Sequence, residues 1–273
     1  MIATNIREEA RNSLKGKWKK SMIMLLIEAL ILGVVAIINN AIKESSLIKP
    51  VFALLETVIQ VPLAFGLIHS FIKLKRNEDV EYFDFVKIGF SNFKKSWAIC
   101  FRTLLKMIVP IICIIVAMCL IFTMFFVGGI AGIASGAGQQ TLGLVILGIL
   151  IYVVAIAYAV IIGLKYALSV YVAYDNLDMS AKEVVEKSEE LMSGHRGDLF
   201  VLLLSFIGWA LLCYVPVLFA ILSCIIIPLV IIFGACAVVA ILALGSYVSM
   251  AKVCFYDDIL QLNSEKTTVE VQE

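Results

Sequence analysis

"KWKKSMIML" spans Lys17–Leu25, and "NFKKSWAIC" spans Asn92–Cys100. Each puts an aromatic residue, two lysines and a serine at the threshold of a long apolar run. Aromatic and basic side chains belong at lipid-headgroup depth, with the apolar run in the hydrocarbon behind them. Trp18, Lys19 and Lys20, and then Phe93, Lys94, Lys95 and Trp97, therefore read as interface anchors at two points where the chain enters a membrane.

Composition agrees. The chain of 273 residues is 62% hydrophobic and 16% charged, with a mean hydropathy of +1.02. Soluble domains carry about 25% charged residues. Several apolar runs reach the ~20 residues needed to cross ~30 Å of hydrocarbon. A transmembrane barrel would alternate apolar and polar residues in segments of about ten, which this chain does not do. The fold class is all-α, a polytopic transmembrane helical bundle. The polar first segment and the length of the run behind it do not fit a cleavable signal peptide.

Six spans can be drawn, at about 21–41, 51–72, 97–127, 141–170, 199–220 and 228–250. They form three out-and-back hairpins within one domain, 1–260, followed by a loose polar tail, 261–273. The last apolar block, Leu199–Met250, is expected to bend or break near Pro216 and Pro228. Of 22 basic residues, only Lys43 and Lys49 fall in the outer connections, so both termini are expected in the cytoplasm.

Each hairpin follows a segment of helical periodicity. Before the first, Ile6, Ala10, Leu14 and Trp18 recur, with Asn5 and Glu8 at capping-box spacing. Before the second, Phe83, Val86, Phe90, Phe93 and Trp97 make a stripe. Before the third, Ser180 and Glu183 make a capping box, Ala181, Val184, Val185, Leu191 and Met192 share a face, and Gly194 is a stop. Such helices are expected to lie in the membrane interface. Residues 1–20 carry a net +4 and residues 175–198 a net −4, so the first segment could meet anionic lipid or the second segment. Tyr158, Tyr166, Tyr171 and Tyr174 read as an aromatic belt. Gly128, Gly132 and Gly136 read as a flexible outer loop rather than a packing ridge.

Several of these stretches resemble a known family. "KSEELMSGHRGDLFVLLLSFIGWALL" (Lys187–Leu212) is similar to the signature of the domain-of-unknown-function 975 family. "EEARNSLKGKW" (Glu8–Trp18), "VPLAFGL" (Val61–Leu67), "FVKIGFSNFKKS" (Phe85–Ser96), "LKYALSVYVAYDN" (Leu164–Asn176) and "CFYDDIL" (Cys254–Leu260) fit in order. The resemblance implies about six spans and a bacterial plasma membrane, and no particular activity.

Residues that could carry chemistry are few. The sequence has no HExxH, GxSxG or P-loop motif, and no Cys/His cluster of metal-ligand spacing. The expectation is no catalytic residue, no cofactor, no metal and no nucleic-acid partner. Charges inside spans are costly and therefore informative. Glu28, Glu56, Gln60, Arg102 and Lys106 form a candidate intramembrane polar network, with Glu28 expected to pair with Arg102 or Lys106. Three functions follow: a non-enzymatic protein that organises the membrane or serves other membrane machinery, a small transporter using those charges, or, with least behind it, an intramembrane enzyme acting on lipid through Glu or Asp at the inner interface. The partner expected in each case is the bilayer, including anionic lipid at the cytoplasmic face, or an unidentified membrane protein.

Overall fold

A computed structural model describes residues 3–42, 48–135, 138–222 and 226–270, and side chains throughout these except at 127–142, 144–145 and 266–270. All regular structure among the described residues is helical. In order come α1 (Ala3–Ser13), α2 (Trp18–Ala41), α3 (Lys49–Lys75), α4 (Asp84–Ser91), α5 (Phe93–Ser135) and α6 (Gly138–Lys165). There follow α7 (Ser169–Asp175), α8 (Ala181–Leu191), α9 (Arg196–Leu204), α10 (Ile207–Leu222) and α11 (Ile227–Glu270). Six stretches, in α2, α3, α5, α6 with α7, α9 with α10, and α11, are long and apolar enough to cross a membrane. They pack as the expected pairs, α2 on α3, α5 on α6, and α10 on α11.

The two quoted thresholds fold alike. Ser21 Oγ donates to the Trp18 carbonyl at 2.9 Å, and Ser96 Oγ donates to the Phe93 carbonyl at 2.9 Å. Both serines are buried, so a small side chain that satisfies itself on its own helix lets neighbouring helices come close. Lys19 and Lys94 face outward. Their neighbours are tied down instead: Lys20 meets Asp79 at 3.5 Å, and Lys95 Nζ donates to the Asn176 and Leu177 carbonyls at 2.9 and 2.6 Å.

Trp97 also turns inward. Pro62 lies inside α3 and has no N–H, so the Val58 carbonyl one turn earlier loses its helical partner. The Trp97 indole N–H reaches that oxygen at 3.4 Å. In hydrocarbon such a bond must come from protein.

The core gathers at the end of the bundle that holds most lysines and arginines, hereafter the basic end. Tyr256, Phe71, Phe85, Phe255, Leu14 and Met24 are fully buried there. α1 lays Ile6, Ala10 and Leu14 onto this core by packing on α11 and α9. Its apolar face is thus packed on protein. In α4 the buried pair is Phe85 and Gly89, while Phe83 and Phe90 of the expected stripe are exposed. The reason is contact: a Cβ on Gly66 would stand 1.8 Å from the Phe85 carbonyl oxygen, and one on Gly89 2.1 Å from that of Pro62. Only glycine allows α3 and α4 this approach. α8 buries Val184, Val185, Leu191 and Met192 as its pattern requires.

Other expectations are corrected. Helix α1 already runs from Ala3, so Asn5 sits inside its first turn and is no cap. Ser180 and Glu183 make both bonds of the capping box, and Gly194 takes φ +84 beyond α8. The backbone of α5 continues through Gly128 and Gly132 to Ser135, where a loop was expected; Gly136 lies outside the described residues. Helix α10 passes through Pro216, and Pro228 opens α11 just beyond residues 223–225, which also lie outside them. An additional break falls at Ser205–Phe206. The tail expected to be loose from 261 continues α11 as helix to Glu270.

Candidate functional site

Polar side chains converge where α3, α7 and α11 meet at the basic end. Arg76, just past α3, makes a two-pronged pair with Asp175 at the end of α7, at 2.6 and 3.0 Å. It also reaches Asp257 of α11 at 3.3 Å. Lys75 bridges Asp257 at 3.0 Å and Glu9 of α1 at 2.9 Å. Tyr256 donates its hydroxyl proton to Asp175 at 2.9 Å, and the Arg76 guanidinium lies 5.2 Å from the centre of the Tyr174 ring. One cluster of charges thereby ties the first, second and third hairpins to α1. The Asp175 carboxylate pushes the Arg76 pKa above its ordinary value.

Two lysines extend the clamp by capping helix ends, whose last carbonyls have no helical partner. Lys17 Nζ takes the Leu74 carbonyl at 2.5 Å and Asn77 Oδ1 at 2.6 Å. Lys95 takes the two carbonyls beyond α7. A separate contact joins α6 to α8: Lys165 meets Glu189 at 2.5 Å, and Tyr166 donates to Glu189 at 3.1 Å. The Lys165 ammonium holds the Glu189 carboxyl below its ordinary range, with Lys106 adding to the effect.

The network expected inside the membrane is not assembled. Helix α2 packs on α3 and α11, whereas α5 packs on α6, α8 and α3. Among the described residues, no ion pair joins Glu28 to Arg102 or Lys106. Glu28 is half-buried, and Arg102 and Lys106 are exposed. Glu56 accepts a hydrogen bond from Asn39 across the hairpin at 3.2 Å, and Gln60 is exposed. Among the described residues, no ion pair joins 1–20 to 175–198. Lys17 and Lys20 bind the segment after α3 instead. Of the expected tyrosine belt, Tyr166 and Tyr171 are core residues, Tyr174 faces Arg76, and Tyr158 is exposed.

Arg76, Lys75, Glu9, Asp175 and Asp257 are not among the residues the sequence singles out. The available signal was that Glu9, Asp175 and Asp257 each lie inside a stretch that carried the family resemblance. Among the described residues, no group of three or more His, Cys, Asp or Glu is placed to hold a metal ion.

Six stretches long and apolar enough to cross a membrane, three of them tied by one polar clamp, are the build of a multi-pass membrane protein. The chain belongs to the family described as protein of unknown function (DUF975), whose profile matches residues 1–263. Comparison with the curated proteins and with the solved structures gave no match.

Proposed function

We propose that this protein sits in a bacterial plasma membrane with its basic end and both termini in the cytoplasm. It acts there without catalysing a reaction, organising the bilayer around it or serving as an accessory subunit of other membrane machinery. The observation behind this reading is how little of each span is enclosed. Only 6–28% of the residues in the six span windows are buried. Ile112, Phe122, Val154, Leu211 and Ile231 are all more than half exposed. Apolar surface of that extent is available to lipid chains or to the helices of another membrane protein. The positive-inside rule supports the orientation.

The scattered placement of Glu28, Glu56, Gln60, Arg102 and Lys106 lends no support to transport. The test is flux. Purified protein in proteoliposomes should pass protons and alkali cations no faster than protein-free vesicles. Photo-crosslinkers at Phe122 and Val154 should capture lipid or a membrane protein. A flux above background that disappears in Glu28→Gln would overturn the reading in favour of transport.

A further inference from the structure

An apolar groove of about 660 Å³ runs between α10 and α11, walled by Leu212, Val215, Pro216, Ala240 and Leu244. That volume lies in the range of small-molecule sites, about 300–1,000 Å³. At the basic end Trp18, Trp209 and Tyr247 line it, and Arg11 of α1 is the one charged residue in its lining. Helix α1 is fixed over this mouth, since Tyr247 donates its hydroxyl proton to the Arg7 carbonyl at 3.0 Å. Arg7 lies one turn before Arg11, and its Nε is buried without a partner. Among the described residues neither arginine has an ion pair; the nearby Glu9 carboxylate is taken by Lys75. One guanidinium without an ion pair, that of Arg11, therefore lines an apolar slot between two span helices, with Arg7 one turn away on the same helix.

We infer that this groove binds one anionic phospholipid, its acyl chain between α10 and α11 and its phosphate on Arg11 and Arg7. A guanidinium presents a planar fork of donors that matches phosphate oxygens. The slot matches hydrocarbon, which a free phosphate would leave unfilled. Trp18 and Tyr247 lie 6.3 Å apart, ring centre to ring centre, and such rings favour the headgroup region. A second groove of about 590 Å³, walled in part by Val153, Val160 and Phe200, also contains one arginine, Arg196. The Arg196 Nε is likewise buried without a partner, but no tryptophan or tyrosine lines that groove, and Asp198, bonded to His195, sits two residues away. The inference rests on the basic end facing the cytoplasmic leaflet, as proposed above.

The test is native mass spectrometry of the purified full chain in detergent, titrated with dioleoyl phosphatidylglycerol and, separately, dioleoyl phosphatidylcholine. We expect one phosphatidylglycerol adduct with at least a tenfold preference over phosphatidylcholine. R7A/R11A should weaken it about tenfold, and R11K, which keeps the charge but loses the fork, about threefold. Ala243→Phe, which fills the slot without changing charge, should also remove it. Lys19→Ala, which removes an exposed cation outside the groove, should leave it intact. Equal loss in Lys19→Ala would reduce the site to diffuse surface charge and overturn it. So would full binding by R7A/R11A or by Ala243→Phe, or competition by glycerol phosphate at lipid-like concentrations. If R7A/R11A fails to elute as a folded species, R11K and Ala243→Phe decide. Ion flux in proteoliposomes would overturn the non-transport reading and leave this site standing; loss of lipid discrimination would do the reverse.

Discussion

The basic end of the bundle and the far halves of its spans are built from the same helices by different means. At the basic end α3 and α4 touch backbone to backbone at Gly66 and Gly89, and charged side chains join α1, α3, α7 and α11. In the far half of α2, a Cβ on Gly33 would meet nothing within 4 Å, and Val34 and Ile37 are exposed. In water the apolar half would collapse and the polar half would loosen. In a bilayer, lipid already satisfies apolar surface, so helices are joined by close packing and polar contacts. Those contacts gather where water and headgroups let charges sit at low cost.

This contrast can be broken by mutation, and Gly66→Ala should test it hardest. A methyl 1.8 Å from a backbone oxygen must push α4 off α3. We expect a loss of about 3 kcal/mol or more, seen as little folded protein by size-exclusion chromatography, while Gly33→Ala elutes as wild type. Arg76→Ala comes next. It leaves Asp175 without its cation at a partly wetted site, while Asp257 keeps Lys75, and should cost about 2 kcal/mol, read as a lower midpoint of heat denaturation in detergent. Trp97→Phe removes the donor to Val58 and should cost about 1 kcal/mol by the same measurement. If all three variants melt with wild type, the basic end does not hold the bundle.

A smaller effect tests the α6–α8 contact by pH. Glu189 has a depressed pKa in the folded chain, so its contribution is present above the unfolded carboxylate pKa of about 4.3 and fades as pH falls through the folded value. Wild type should lose stability on acidification more steeply than Glu189→Gln. Equal slopes would show that Lys165 gains nothing from the carboxylate. Smallest of all, Val154→Ala on the open side of α6 should change the midpoint by no more than about 0.5 kcal/mol equivalent.

Most of the fold was legible because span length and apolar composition are one-dimensional properties. Periodicity likewise found the buried faces of α1 and α8. The candidate site was not legible, because its members are distant in sequence. Asp175 and Asp257 stand 99 and 181 residues from Arg76. Pairing Glu28 with Arg102 assumed that similar depth means adjacency, whereas packing set α2 beside α3 and α11. The stripe in α4 misled for a related reason. Hydrophobic residues mark a membrane-facing side as readily as a core side when the solvent is lipid, and Gly89 identified the true contact. Trp97 looked like an anchor because its neighbours are lysines; only the geometry revealed the carbonyl left open by Pro62.

The span between Arg76 and Asp257 also sets a timetable for biogenesis. A ribosome adding about 5–20 residues per second finishes Asp257 roughly 10–40 seconds after Arg76. Lys75 can hold Glu9, and Arg76 can hold Asp175, once the first two hairpins are inserted. Neither can bind α11 until the last hairpin has entered. The nascent protein therefore waits in the membrane with its clamp half closed. A chain truncated before α11 would keep that cluster open, exposing to quality-control proteases a surface that the finished protein hides.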